Sequence, residues 1–171
     1  MAARVHAGVG RGRAPAAALA ALASLRAGAT VNEALVLKTG SARLQSEASD
    51  QWSYCQAKGV KAAVAEASRV AFDAAGKEAP PRYEEKARRY EEEQEAIKEE
   101  AQKLEKERDR KDAEAGHLLH VHHLFAVAVA FFQVSIALGA VAALSRSRLV
   151  WYASLAVGAG GLFSFIRAFL G

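Results

Sequence analysis

Two long apolar runs near the C-terminal end constrain this chain more than any other feature. The first extends from Leu124 to Leu144 without a charged residue, and the second extends from Leu149 to Ile166. A short basic break, from Ser145 to Arg148, separates them. A helix of about 20 mostly apolar residues crosses a hydrocarbon core of roughly 30 Å, so each run is close to the length of a span. The sequence therefore predicts a transmembrane helical hairpin over residues 117–171.

The N-terminal segment, residues 1–36, is basic and rich in Ala. Its apolar stretch, Ala16 to Leu25, is short for a span, and no acidic residue precedes Glu33. Three interpretations compete: a degenerate first transmembrane helix, a cleavable signal or transit segment, and an amphipathic surface stretch. We favour the first, which makes this segment a candidate third span.

The middle of the chain, residues 37–116, is highly charged, with 16 Lys and Arg against 18 Asp and Glu. Good helix formers dominate it, and Thr39-Gly40 is a candidate interruption near its start. Gly76 followed by Pro80-Pro81 is a helix stop signal. A second helix is then expected from about Arg82 to Ala115. Two helices of similar length around a turn near 76–81 predict a long antiparallel, coiled-coil-like hairpin.

The second of these helices carries half of a heptad seam. The larger side chains recur at a spacing of seven, at Tyr83, Tyr90, Ile97 and Leu104. The positions four residues further on are small or polar: Ala87, Gln94, Ala101 and Arg108. A seam that is apolar at one of its two positions favours weak coiled-coil packing. The predicted fold class is therefore all-α, a transmembrane helical bundle with a charged helical hairpin between its spans.

The distribution of charge argues against nucleic acid as a partner. The formal net charge is +4, but the basic excess lies beside the apolar segments, where Arg orients membrane helices. No basic face with interleaved aromatic residues is present. Cys55 is the only cysteine, so the chain forms no intramolecular disulfide and no Cys-based zinc site.

The stretch DQWSYCQAKGVK, from Asp50 to Lys61, resembles a bacterial membrane-protein family known as a domain of unknown function, DUF4337. The resemblance covers most of the chain from about Asn32 onward, including the QVSIALGAVAAL and GAGGLFSF stretches. Its most specific part is the pattern of Trp52, Tyr54, Gln56, Lys58 and Lys61. The resemblance implies a multi-pass membrane protein with a helical soluble region, and it implies no reaction.

That specific stretch supplies the interaction candidates Trp52, Tyr54, Gln56 and Lys58. As a contact surface, it would present an aromatic and polar face to another protein. The alternative is that its aromatic residues pack on the second arm of the same hairpin or lie at the membrane interface. We favour packing within the chain.

A histidine cluster, HLLHVHH, precedes the first apolar run. It contains His117, His120, His122 and His123. On a helix, three of these share one broad face and His122 points away. Neutral imidazole is a common ligand for zinc, copper or haem iron, and it also senses pH. No carboxylate or Cys completes a specific metal motif, so we favour interfacial side chains and predict no cofactor or metal.

Polar and small residues within the apolar runs predict helix packing. Those in the first run are Gln133, Ser135 and Gly139, and those in the second are Ala156, Gly160 and Ser164. Small side chains let helix backbones approach closely, and polar side chains hydrogen-bond between helices. A transport pathway would need paired charges inside the membrane, and none is present in either run.

The sequence contains no nucleophile motif, no Gly-rich phosphate loop and no HExxH, so we predict that the protein is not an enzyme and has no small-molecule substrate. We predict a membrane-anchored structural or interaction scaffold of the bacterial inner membrane. Its expected partners are the lipid bilayer and either further copies of itself or another membrane protein. A small transporter or channel component is an alternative, as is a His-based pH or metal sensor. With three spans inserted, the basic turn at Arg146 and Arg148 lies in the cytoplasm and the hairpin on the other side.

Overall fold

The computed structural model describes the backbone of residues 2–170 and the side chains of residues 14–170. It contains three helices, α1 (Ala2–Ala74), α2 (Arg82–Ser145) and α3 (Arg148–Leu170). No strand occurs in the described part of the chain. The predicted all-α class is therefore confirmed.

The helices are longer and less interrupted than the sequence predicted. α1 continues through Thr39 and Gly40, so the candidate interruption there does not occur. A single glycine inside a helix costs only about 1 kcal/mol relative to Ala, which the strong helix formers around it offset. The predicted end of the second helix at Ala115 is also wrong, because α2 runs on without a break into the first apolar run. No proline lies between Arg82 and Ser145 to stop it.

The connection between α1 and α2 is a glycine-terminated turn. Gly76 has a φ of 65°, a left-handed conformation that costs glycine little. The Lys77 amide donates to the Phe72 carbonyl at 3.0 Å and the Gly76 amide donates to the Asp73 carbonyl at 3.0 Å. This is the Schellman pattern, which satisfies the last carbonyls of a helix. The prolines at 80 and 81 then precede α2. Proline has no backbone N–H donor, and none is needed there because the first N–H groups of a helix have no partner within it.

By its internal contacts, the chain divides into two compact units. We call residues 37–113 the charged unit, and residues 1–36 together with 114–171 the apolar unit. Each is described separately below.

In the charged unit, α1 and α2 run in opposite directions along each other. Lys38 contacts Asp112 near one end at 2.6 Å, and the rings of Phe72 and Tyr83 lie 5.7 Å apart near the other. The interior is built mostly from small side chains; its buried residues include Ser41, Leu44, Ala48, Cys55, Ala62, Ala65, Ala87 and Ala101. Small residues at these positions allow the two backbones to approach closely.

In the apolar unit, aromatic residues from α2 and α3 pack against alanines of α1. The core consists of Ala23, Ala27, Val121, Phe125, Ala128, Phe132, Phe165 and Ala168. Phe165 makes edge contacts with Phe125 at 5.7 Å and with Phe132 at 6.4 Å, a favourable geometry for aromatic pairs. Among the described residues, three helices are long and apolar enough to cross a membrane, including the one near the N-terminus.

Candidate interaction surfaces

The structure places two of the four predicted interaction residues against α2. Trp52 donates a hydrogen bond from Nε1 to Glu105 Oε1 at 2.9 Å. Lys58 forms an ion pair with Glu93, and only 13% of its side chain is exposed. Both residues therefore act within the charged unit, joining α1 to α2.

Lys58 is also held by aromatic rings. Its Nζ atom lies 5.1 Å from the centroid of the Tyr54 ring and 5.5 Å from that of Tyr90. A cation this close to a ring face is attracted by its quadrupole. The hydrogen bond to Glu93 raises the pKa of Lys58, with a further contribution from Tyr54. The same bond lowers the pKa of Glu93, so both groups are held in their charged forms.

Between these contacts α1 approaches α2 closely. Cys55 is buried, and its Sγ atom lies 3.7 Å from the Gln94 carbonyl oxygen. A Cβ atom built on Gly59 would lie 2.7 Å from Gln94 Nε2. A side chain at position 59 would therefore displace the Gln94 amide. This explains why a small residue follows Lys58 in the stretch.

The other two predicted interaction residues, Tyr54 and Gln56, are exposed. They border a face of α1 that the sequence analysis did not identify. We call it the outer stripe: Ala57, Val60, Val64, Ala67 and Ala71, all exposed. These positions alternate at spacings of three and four, the pattern of a coiled-coil seam. The first four lie two residues, or about 200°, beyond Cys55, Lys58, Ala62 and Ala65, which are buried or paired with α2. The stripe is therefore separate from the positions of α1 that are buried against α2.

The outer stripe is unusually free of charge for this unit. The positions that flank it are Gln56, Lys61, Ala63, Ser68 and Val70, and only one of these is charged. Val60 and Val64 are 58% and 60% exposed. By contrast, the exposed side of α2 carries most of the charged residues, among them Glu84, Glu85, Arg88, Glu91, Glu92, Glu95 and Glu99. The spacing of Ala and Val from 57 to 71 was the signal that would have revealed this face.

An open groove of about 300 Å³ adjoins the outer stripe. Val60 and Val64 of α1 and Tyr83 and Tyr90 of α2 line it. Lys61 also lines it. The groove adds apolar surface to the same side of the charged unit.

In the apolar unit, two serines join α2 to α3. Ser135 Oγ donates to the Ser154 carbonyl at 2.8 Å, and Ser154 Oγ donates to the Ser135 carbonyl at 2.9 Å. Ser164 Oγ donates to the Leu124 carbonyl at 3.0 Å. Ser135 and Ser164 were predicted packing residues, whereas Ser154 was not identified from the sequence.

Glycines of α3 bring it close to aromatic residues of α2. A Cβ on Gly160 would lie 3.6 Å from the Phe131 ring, an ordinary contact. A Cβ on Gly161 would lie 3.0 Å from Phe132 Cδ1 and 3.1 Å from Phe131 Cβ, which is crowded. Of the remaining predicted packing residues, Gly139 is buried, whereas Ala156 and Gln133 are exposed.

The four histidines of the cluster have different surroundings in the apolar unit. His122 is half-buried, and its Nδ1 atom lies 2.9 Å from the Ala27 carbonyl oxygen, within hydrogen-bond distance. His117, His120 and His123 are exposed. Across the described residues, no group of three or more His, Cys, Asp or Glu side chains is arranged to hold a metal ion.

Comparison with known proteins gives one match. The model of a family described as a domain of unknown function, DUF4337, matches residues 15–171. Neither a curated protein nor a solved structure matches the chain.

Proposed function

The chain belongs to the DUF4337 family, whose description assigns no activity, and we propose that it is a membrane-anchored helical scaffold that associates with further copies of itself. In this proposal the three apolar helices insert into the bacterial inner membrane. The charged unit is an antiparallel hairpin outside the lipid. The protein has no catalytic role and takes no cofactor.

The exposed surface of the apolar unit supports insertion into lipid. Leu144, Leu149 and Leu170 are each more than four-fifths exposed, and Phe163 is 69% exposed. Large contiguous apolar patches are rare on the surfaces of soluble monomers. In a bilayer the same side chains contact lipid tails and need no protein cover.

The observation that carries self-association is the outer stripe of α1. Two of the predicted packing faces are already occupied within the chain: the half-heptad seam of α2 faces α1, and Ser135 and Ser164 bond to neighbouring helices. The outer stripe remains exposed, with a heptad spacing that a partner helix can match.

A second copy fits this stripe because the stripe is self-complementary. A two-fold symmetric dimer places the same face of each copy in contact. In a parallel pair, position 56 of one helix faces position 61 of the other, so Gln56 would meet Lys61 and no like charges would oppose each other there. The predicted interaction residue Gln56 thereby contacts a second copy rather than α2.

The oligomeric state of the full-length protein in lipid nanodiscs tests this proposal. We expect the wild-type protein to be oligomeric, and Val60→Glu/Val64→Glu to be monomeric because it places like charges on the stripe. The matched control is Ala96→Glu/Gln102→Glu, which adds the same two charges at exposed positions of α2 and should remain oligomeric. A monomeric wild-type protein would contradict self-association. An oligomeric stripe variant would show that the copies associate through another face.

A further inference from the structure

Gln133 is a polar residue of the first apolar run that has no side-chain partner among the residues whose side chains the structure describes. Its side chain is exposed, and no hydrogen bond joins it to any residue whose side chain the structure describes. Ser135, only two positions away, is buried and bonded to α3. Among the residues whose side chains are described, Ser135 thus has a hydrogen-bond partner on a neighbouring helix and Gln133 does not.

An unpaired amide is costly in hydrocarbon. Within a bilayer core there is no water to replace its hydrogen bonds, so polar side chains in spans usually face other helices. The primary amide of Gln has two donor hydrogens and an acceptor oxygen. A second Gln amide is therefore a full complement to it, donating to its oxygen and accepting from its nitrogen.

The surroundings of Gln133 permit a close approach by another helix. Ala130 and Ala137, one turn before and one turn after it, are both exposed. Small residues on the same face as a polar side chain allow helix backbones in membranes to come together. An apolar groove of about 270 Å³, lined in part by Ala130 and Val134 of α2 and Val157 of α3, meets this face at Ala130.

We infer that Gln133 forms a hydrogen bond with Gln133 of a second copy inside the membrane, across a two-fold axis. This inference rests on the proposed self-association and adds a second contact to it. The outer stripe joins the charged units of two copies, and the paired amides join their apolar units. Because the Gln133 amide is hydrogen-bonded only in the oligomer, this bond stabilises the oligomer relative to the single copy.

This contact is tested by measuring the association of the full-length protein in liposomes. Donor and acceptor fluorophores are placed on separate copies, and the protein-to-lipid ratio is varied. Gln133→Leu should weaken association by about 3- to 30-fold, the range expected for one or two hydrogen bonds between membrane helices. Gln133→Asn keeps an amide and should retain association. The matched control, Ala159→Leu, adds the same side chain at an exposed position of α3 and should leave association unchanged.

Cysteine cross-linking provides a second measurement that does not depend on the stability of the Leu variant. In a Cys55→Ser background, Gln133→Cys should form a disulfide between copies in the bilayer, and Leu155→Cys, exposed on α3, should not. Unchanged association of Gln133→Leu in an oligomeric protein would overturn the amide contact and leave the scaffold intact. Reaction of Gln133→Cys with a membrane-impermeant thiol reagent would also overturn it, because the position would then line a wet path. A monomeric wild-type protein would instead contradict the proposed function itself.

Discussion

Ser135 of α2 and Ser154 of α3 exchange hydrogen bonds, each hydroxyl donating to the backbone carbonyl of the other residue at 2.8 and 2.9 Å. Both side chains are buried. A Cβ on Gly158 would lie 2.9 Å from Ser135 Oγ, so α3 also approaches Ser135 closely one turn after Ser154. A pair of reciprocal bonds fixes both the rotation and the sliding of one helix along the other. This contact sets the register of the two apolar runs.

Removing these hydroxyls should destabilise the apolar unit. We expect Ser135→Ala and Ser154→Ala each to lower the free energy of unfolding by about 0.6 to 2 kcal/mol, the range measured for polar contacts between membrane helices. Each substitution removes one hydroxyl donor and leaves the other bond's donor and backbone acceptor in place. The double variant should lose less than the sum, because loss of either bond loosens the helix contact that positions the other. Unfolding of the purified protein by SDS in mixed micelles measures this.

Ser145→Ala is the control for the serine pair. Its hydroxyl bonds only to the Val141 carbonyl of its own helix and is exposed. An effect at Ser145 as large as that at Ser135 would contradict a special role for the exchanged bonds.

The crowding at Gly161 predicts opposite effects for the same substitution at two glycines of the apolar unit. Gly161→Ala places a Cβ 3.0 Å from Phe132 Cδ1, which forces the helices apart and should destabilise the protein by about 1 to 3 kcal/mol. Gly28→Ala meets nothing within 4 Å, so it should stabilise α1 by up to about 1 kcal/mol through helix propensity. Thermal unfolding followed by circular dichroism compares the two. Equal effects of the two substitutions would contradict the close approach at Gly161.

The ion pairs of the charged unit predict how its stability depends on pH. The hydrogen bond from Lys58 lowers the pKa of Glu93 below its ordinary 4.5, and that from Lys38 lowers the pKa of Asp112 below 3.8. A depressed carboxyl pKa contributes stability that is present above the unfolded pKa and is lost as the pH falls through the folded pKa. The charged unit should therefore lose stability as the pH falls from about 4.5.

The contribution of Lys58 to stability depends on pH in the opposite direction. Its pKa lies above the ordinary 10.5, so its contribution is present below that pH and is lost as the pH rises through the folded value. Melting temperatures of the full-length protein at acid and alkaline pH should decrease less in Glu93→Gln than in the wild-type protein. Glu91→Gln, at an exposed position two residues away, is the control and should follow the wild-type profile. A Glu93→Gln profile identical to that of the wild-type protein would contradict the pair.

The features that local chemistry determines could be predicted from the sequence. Gly76 and the prolines at 80 and 81 lie between the end of α1 at Ala74 and the start of α2 at Arg82, because backbone restrictions at Gly and Pro act within a few residues. The continuity of α2 was missed, since the change from charged to apolar composition looked like a boundary although nothing in the backbone breaks there.

The partners of individual side chains could not be predicted in the same way. Gln133 and Ser135 are both polar groups in one apolar run, and their sequence spacing alone does not say which one faces α3. That depends on the rotation of α2, which the Phe132 and Phe165 packing fixes in three dimensions. Ser154 was missed for the same reason, because its role exists only opposite Ser135.

The last prediction concerns Trp52, which belongs to the most specific stretch of the family resemblance. Trp52→Phe keeps an aromatic ring but removes the Nε1 donor to Glu105. We expect it to destabilise the charged unit by about 1 kcal/mol, a usual net value for a side-chain hydrogen bond, without changing the oligomeric state. Glu105→Gln retains an acceptor and should have a smaller effect. Thermal unfolding and mass measurement in nanodiscs together separate the two roles proposed for this stretch. A loss of association with unchanged melting would show that Trp52 contacts another molecule rather than α2.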